Sequence, residues 1–450
     1  MTTMPDAPKD AGSSETFMER ATQWRSPQGI QFSSPAAQEA YRRRAQLFID
    51  AITLKKPERV PVLVMQGTFP FSYAGYTGKD AMYDYQKLGA AMKKFHADFL
   101  PDSLSGSPLY GPGKAFEILD YKLYRWPGHG VPETSSHQYV EGEYMAADEY
   151  DLLIRDPSDF FARRYLPRVF GALEPWQRLG CLTDIQELPF TGGALVPYGL
   201  PEVQESFQKL LEAGRAAAEW LQACLAIDGD IADALGLPPF FGGFVKAPFD
   251  ILGDTLRGTR QLFLDKFRRP KKVLEAVERL VPLAIDQALR LLRPGGPPVV
   301  LMPLHKGADG FMSTADFKTF YWPTLKALLL GMVAHGVIPC LFVEGSYNQR
   351  LEVIADPDIP AGTTVWIFDR TDLREVKKRF AGWACFGGNV SSSLLMLSER
   401  SEVEDSVKRL IDDVGRDGGY ILANGAVLDQ AKAENLHAMI DTCKSYGVYR

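Results

Sequence analysis

The sequence predicts a (β/α)8 barrel, and three observations carry that prediction. Short apolar runs recur along the chain, each ending in a polar residue or a glycine, as in RVPVLVMQG and VIPCLFVEG. Strands buried on both faces read as such continuous runs, whereas half-exposed strands alternate. Helix-forming text separates most of the runs. No glycine-rich phosphate fingerprint follows the first one, which removes the main argument for an open, doubly wound sheet. No short-period internal repeat competes with this reading.

Taken in order, residues 1–37 are rich in Ser, Pro, Ala, Gly and charge, and read as a flexible N-terminal arm. Residues 38–450 read as a single barrel. Its first helix is QEAYRRRAQLFIDAITLKK, stopped by Pro57, and its first strand ends at Gln66-Gly67. A helix over about 80–95 leads to HADFLPD, the second strand candidate, ending at Asp102. The stretch 104–170, dense in Gly, Pro and Tyr, reads as a long loop or hairpin insertion. Helical text near 201–228 precedes PPFFGGFV, the third candidate. VVLMPL, VIPCLFV, TTVWIF, WACFGGN and YILANG complete the set, with helical spacing between them.

Composition narrows the function classes. A charged fraction of 24% and a hydrophobic fraction of 46% are those of a soluble globular protein. A net charge of −6 argues against nucleic acid and against an anionic membrane as partner. No apolar run reaches the roughly 18–20 residues of a spanning helix. Five scattered cysteines without a CxxC point to a reducing compartment, so a cytoplasmic location is expected.

Barrels keep their chemistry at the C-terminal ends of the strands. Those ends supply Gln66, Asp102, Lys246, His305-Lys306, Glu344, Asp369, Asn389 and Asn424. Carboxylates, an imidazole and a cation suit general acid–base work, metal binding or anion recognition. Glu344 stands out because a carboxylate ending a buried strand is costly unless paired, metal-bound or used in chemistry. Each residue also has a packing reading. His305 can be a satisfied structural histidine, Glu344 can pair with Lys306 or Arg350, and Asp102 can cap a turn. Asp369 is expected to pair with Arg370, and Lys246 to be a loop cation. Cys340 and Cys385 lie inside strand text and read as small core residues. No GxSxG, HExxH, P-loop or close His/Cys cluster is present.

From about Ala45 to Tyr449 the chain resembles the uroporphyrinogen decarboxylase superfamily. The resemblance rests on RVPVLVMQG, KFHADFLPDSL, GGFVKAPFDILGDTLRG, LHKGADGFMS, the strand ending VEG, GGNVSSSLLM and the closing GGYILANGAVLDQAKAENLHAMIDTCKSYGVY. It implies a uroporphyrinogen decarboxylase-like barrel, a homodimer, and either decarboxylation or methyl transfer. Against the decarboxylases, Met65 and Phe69 stand near the places of substrate-binding arginines, and Gln66 is kept. The aspartate after the second strand matches Asp102, a tyrosine becomes Asp254, a serine becomes Leu304 and the last-strand histidine becomes Asn424. Against the zinc thiol methyltransferases, the His-x-Cys pair falls on Phe342 and Glu344, and the last cysteine on Asn424. A cysteine zinc site is therefore not expected, although His305 with Glu344 are candidate ligands for a Zn2+ Lewis acid.

The expectation is a methyl or alkyl transferase of O-demethylase type, delivering its group to a separate corrinoid protein. Glu344 and His305 would activate the leaving oxygen, Asp102 would join them as a catalytic group, and Gln66, Asp254, Asn424, Phe241 and Phe342 would hold the substrate. The aromatic residues near the strand ends, with the arginines lost, indicate a small apolar or aromatic compound. The alternatives are a decarboxylase acting on a porphyrinogen or another carboxylate, and a barrel that binds a tetrapyrrole or corrinoid without turnover.

Overall fold

Seven parallel strands lie side by side in a computed structural model that describes residues 16–27, 29–104 and 106–449. The first strand, β1 (Val62–Leu63), is followed by an excursion carrying β2 (Tyr124–Pro127), β3 (Gly130–Val131) and β4 (Gln138–Tyr139), which form a separate three-stranded sheet. The main sheet resumes with β5 (Gly243–Phe244), β6 (Val299–Leu304), β7 (Ile338–Val343), β8 (Val365–Phe368), β9 (Cys385–Val390) and β10 (Tyr420–Asn424). Neighbours run β1-β10-β9-β8-β7-β6-β5, so consecutive strands pair and the last returns to the first. The gap between β1 and β5 is bridged by residues 102–104. Asp102 N–H donates to Val62 O at 3.1 Å, and Leu104 N–H donates to Pro238 O at 3.0 Å. The ring is a barrel whose eighth stave is three residues long.

That short stave corrects the second strand expected over HADFLPD. The helix Tyr85–Phe99, capped by Asp84, runs through most of this segment. Leu88, Ala91, Met92, Phe95 and Phe99 form one buried stripe at helical spacing, and the burial of that stripe outweighs the strand-like run FL. Leu100 then adopts a left-handed conformation and Pro101 prevents further helix.

Two apolar layers follow from the alternation of strand side chains. Val62, Val300, Met302, Leu304, Leu341, Val343, Trp366, Phe368 and Leu422 face the surrounding helices. Leu63, Leu301, Ile338, Cys340, Phe342, Ile367, Cys385, Ile421 and Ala423 fill the barrel interior. Cys340 and Cys385 are thus core residues, fully buried and without a disulfide.

The bottom of the barrel is plugged from the N-terminal segment, so that of the flexible arm expected over 1–37 the stretch Phe17–Arg25 is a packed helix. Residues 1–15 lie outside the described residues, but Phe17–Arg25 is a helix with a Thr16/Glu19 capping box. Its Trp24 is fully buried against Phe48 and Phe240, and the indole N–H donates to Pro239 O at 3.1 Å. An aromatic side chain removed from water in this way contributes about 1.5–3 kcal/mol, enough to hold a short helix in place. The next helix, Pro35–Ile52, is started by Ser34 and lays Ala45, Phe48 and Ile52 on the same core.

The insertion is also larger than the expected 104–170. It continues through short helices to the 35-residue helix Pro201–Leu235, with a core of its own around Leu119, Leu173, Trp176 and Val203. Two of its loops, around Tyr110 and His137, reach over the C-terminal mouth of the barrel.

Candidate active site at the barrel mouth

His305 follows the last residue of β6, and its backbone is locked from below. Asp250, fully buried on the helix that opens at Pro248, accepts the His305 N–H at 3.0 Å, the Lys306 N–H at 2.8 Å and the Tyr321 hydroxyl at 2.7 Å. One turn later, in a π-helical stretch Ile251–Leu256, Asp254 meets the His305 Nδ1 at 2.5 Å. A π-turn is wider than an α-turn, and such turns recur at functional sites. Lys246 Nζ at 2.6 Å and Lys306 Nζ at 3.1 Å converge on the same carboxylate. With Nδ1 held by Asp254, the other ring nitrogen, Nε2, faces Glu344 Oε2 at 3.6 Å.

Glu344 follows β7, and Gly345 turns the chain away from the barrel with φ of +79°, a conformation glycine adopts without strain. The Gly345 N–H donates to Asp369 Oδ2 at 3.1 Å, which fixes the strand end. The side chain of Glu344 is 44% exposed, through the mouth, so a ligand can reach it.

The electrostatics follow from burial and from the order of charges along this line. Desolvation raises the pKa of Glu344, partly opposed by His305. Desolvation lowers the basicity of His305, but the Asp254 bond and the charges of Asp250 and Asp254 outweigh it and leave the imidazole more basic than usual. Asp254 is pushed the other way. Its own desolvation is overcome by His305 and Lys246, and it stays ionised well below the usual carboxylate range. The result is a carboxylate, an imidazole and a proton-retaining carboxyl in line, the last at the opening.

Glu344 borders a cavity of about 260 Å3, smaller than the ~300–1,000 Å3 of drug-sized sites. Met65, Phe241, Phe244, Leu301, Pro303 and Phe342 form its apolar wall, and Gln66, Tyr110, His137 and Asp429 its other side. Gln66, Phe241 and Phe342 therefore stand where a bound molecule would touch them.

Four expected site residues do not: His305 and Asp254 stand behind Glu344, Asp254 with its oxygens taken by His305, Lys246 and Lys306 rather than facing a substrate, and Asp102 and Asn424 lie elsewhere. Asp102 is fully buried at the opposite end of the barrel, where Arg59 Nη1 and Nη2 grip its two oxygens at 2.7 and 2.5 Å and the Val62 N–H donates to it at 2.8 Å. Its place at the start of the short stave, rather than at the end of a strand, puts it away from the mouth. Asn424 is also fully buried and spent on backbone. Its Oδ1 accepts from Met65 N at 2.8 Å, and its Nδ2 donates to Met65 O at 2.9 Å and to Ala426 O at 2.6 Å. It ties β10 to the chain leaving β1, leaving no group free for substrate. Asp369 binds backbone more closely than Arg370, which stands 3.7 Å away and is 82% exposed.

A Zn2+ ion does not fit the donors present. His305 has one ring nitrogen spent on Asp254, and two ammonium groups occupy that same carboxylate. Beside Glu344 the one nitrogen within reach is His305 Nε2, and among the described residues no group of three or more His, Cys, Asp or Glu is placed to hold a metal. Asp250 belongs to this cluster and was missed by reading the strand ends, while Lys246, expected there as a loop cation, is instead paired with Asp254. Their signal was present in KAPFDILGD, where three charges at spacing four punctuate an otherwise apolar stretch.

Residues 213–446, more than half of the chain, match the uroporphyrinogen decarboxylase (URO-D) family. The chain belongs to the uroporphyrinogen decarboxylase family. The match takes in β5 to β10 and so every residue of the Glu344–His305–Asp254 line. The fold is similar to that of a methyltransferase from Methanosarcina mazei, with a TM-score of 0.58 and 14% identity over 90% of this chain and 98% of that one. At that identity the likeness speaks for the fold alone. No protein among the curated sequences matches the chain. Among the described residues, no helix is long and apolar enough to cross a membrane.

Proposed function

We propose that this family member is an alkyl transferase that removes a methyl or other alkyl group from an oxygen atom of a small, apolar or aromatic compound. The observation that carries the reading is the line Asp254–His305–Glu344, aimed at an apolar cavity of modest volume. Cleaving an alkyl–oxygen bond leaves the electron pair on oxygen, a poor leaving group unless it is protonated as the bond breaks. Glu344 holds its proton to higher pH than a free carboxyl and donates it to that oxygen. His305, kept protonated by Asp254, returns a proton to Glu344 across 3.6 Å. Lys246 and Lys306 keep Asp254 anionic throughout. Phe241, Phe342 and Leu301 position the apolar body and exclude water. The alkyl carbon passes to a nucleophile brought by a partner, and a corrinoid protein is our choice.

The same observations oppose a porphyrinogen substrate. The cavity is small for a tetrapyrrole, and the carboxylate of Asp429 in its lining would repel eight carboxylates. The test is incubation of the purified protein with methoxylated aromatic compounds and reduced cobalamin, following phenol release by mass spectrometry. Phenol formation that Glu344→Gln abolishes is the expected result. Absence of phenol, together with conversion of uroporphyrinogen to coproporphyrinogen, would reverse the reading.

A further inference from the structure

The side of the cavity opposite Glu344 carries groups that the alkyl-transfer chemistry leaves unused. Asp429, on the loop after β10, spends one oxygen on Thr68: Oδ1 accepts the backbone N–H at 2.9 Å and the hydroxyl at 3.1 Å. No protein donor is present for its Oδ2 among the described residues, and no lysine or arginine lines the cavity. Gln66, only 4% exposed, donates its amide N–H to Met92 Sδ at 3.5 Å, while its Oε1 is buried without a partner. The thioether has no hydrogen to give, which favours the amide nitrogen at this end. The Tyr110 hydroxyl is committed to Gly67 O at 2.5 Å and offers no donor. Desolvation holds the His137 imidazole below its ordinary pKa, against the pull of Asp429, so it brings no compensating charge at neutral pH.

A buried acceptor without a partner and a carboxylate oxygen without a protein donor, with no cation beside them, are costly to leave unmet. We infer that Asp429 and Gln66 form a recognition subsite for a protonated amine, and that the substrate is an amine-bearing aromatic or alkyl ether. The ammonium group lies against Asp429 and Gln66, its ring or chain against Phe241 and Phe342, and its alkylated oxygen against Glu344. Ammonium is the group of choice because it supplies several donors and one positive charge, which are the two things this wall lacks. The aromatic wall adds to the attraction for a cation. This deepens the alkyl-transfer reading, on which it rests for the ether end of the ligand.

The test compares 2-(4-methoxyphenyl)ethylamine with 2-(4-methoxyphenyl)ethanol, which differ by one heavy atom and by charge. Binding to the full-length protein is measured by isothermal titration calorimetry at pH 7. The amine is expected to bind at least about tenfold more tightly. Asp429→Asn, which keeps the acceptor for Thr68, should remove most of that preference while binding of the alcohol is unchanged. If that variant does not fold, Gln66→Met, close in volume and without the amide, should weaken the amine selectively. Equal affinities, tighter binding of the alcohol, a preference that survives in the variant, or no binding of either compound would each overturn the subsite. Amine-selective binding without phenol release would keep the subsite and refute alkyl transfer. Equal phenol release from both compounds, with equal affinities, would do the reverse.

Discussion

Replacing Asp254 by asparagine removes the one negative charge on which Lys246, Lys306 and His305 converge, at 2.6, 3.1 and 2.5 Å. The Asp254 side chain is 10% exposed, so bulk water does little to replace it for its partners. Charge-assisted hydrogen bonds contribute about 1.5–3 kcal/mol each, and stranding a buried charge costs about 3–5 kcal/mol. Lys246 and His305 are 22% and 31% exposed and regain some hydration, which brings the expected loss to about 2–4 kcal/mol. The sign of the pH dependence follows from the two shifts. Asp254 has a depressed pKa, so its contribution is present above the unfolded carboxyl value of about 4 and is lost as pH falls through the lower folded value. His305 has a raised pKa, so its contribution is complete below about pH 6.5 and is lost as pH rises through the folded value. The gap between wild type and variant is therefore widest between about pH 5 and 6.5 and narrows on either side. Urea denaturation across this range measures the gap, and an NMR titration of the His305 ring should show its pKa fall in the variant. A loss below about 1 kcal/mol at pH 6, or an unchanged His305 titration, would refute the convergence of charge on Asp254.

Three further outcomes are expected. Glu344→Gln should lower the rate of phenol release by about 100-fold or more with little change in KM, since a group acting in general acid catalysis contributes about that much; steady-state kinetics would show it. Asp102→Asn should cost about 3–5 kcal/mol in denaturant unfolding, because Arg59 loses its buried partner, yet leave the pH–rate profile of the mouth unchanged. Trp24→Ala should cost about 3–5 kcal/mol and lower the melting temperature in a calorimetric scan, because it opens the plug beneath the barrel.

The sequence by itself determined the barrel. Strands buried on both faces must be continuously apolar, and that signal is local, so β1 and β6 to β10 could be read from short segments with few errors. Local text also marked Glu344 and His305 as strand-end residues, because a charge that closes such a run is visible without knowing its neighbours. Tertiary structure decided what those residues face. The approach of Asp254 to His305 depends on a π-turn and on the packing of its helix beneath β6, neither of which periodicity records. Asp102 read as a strand-end carboxylate because FLPD resembles the end of a strand. In the fold a preceding helix uses up that segment, and Arg59, distant in sequence, claims the charge. Asn424 shows the same limit from the other side. Its position in sequence ends a strand, but two of its hydrogen bonds join β10 to the exit of β1, a contact between opposite ends of the chain, and the third holds Ala426. Patterning encodes which face is buried. Which polar groups meet there is set by the closure of the ring, because closure brings residues hundreds of positions apart within hydrogen-bonding distance.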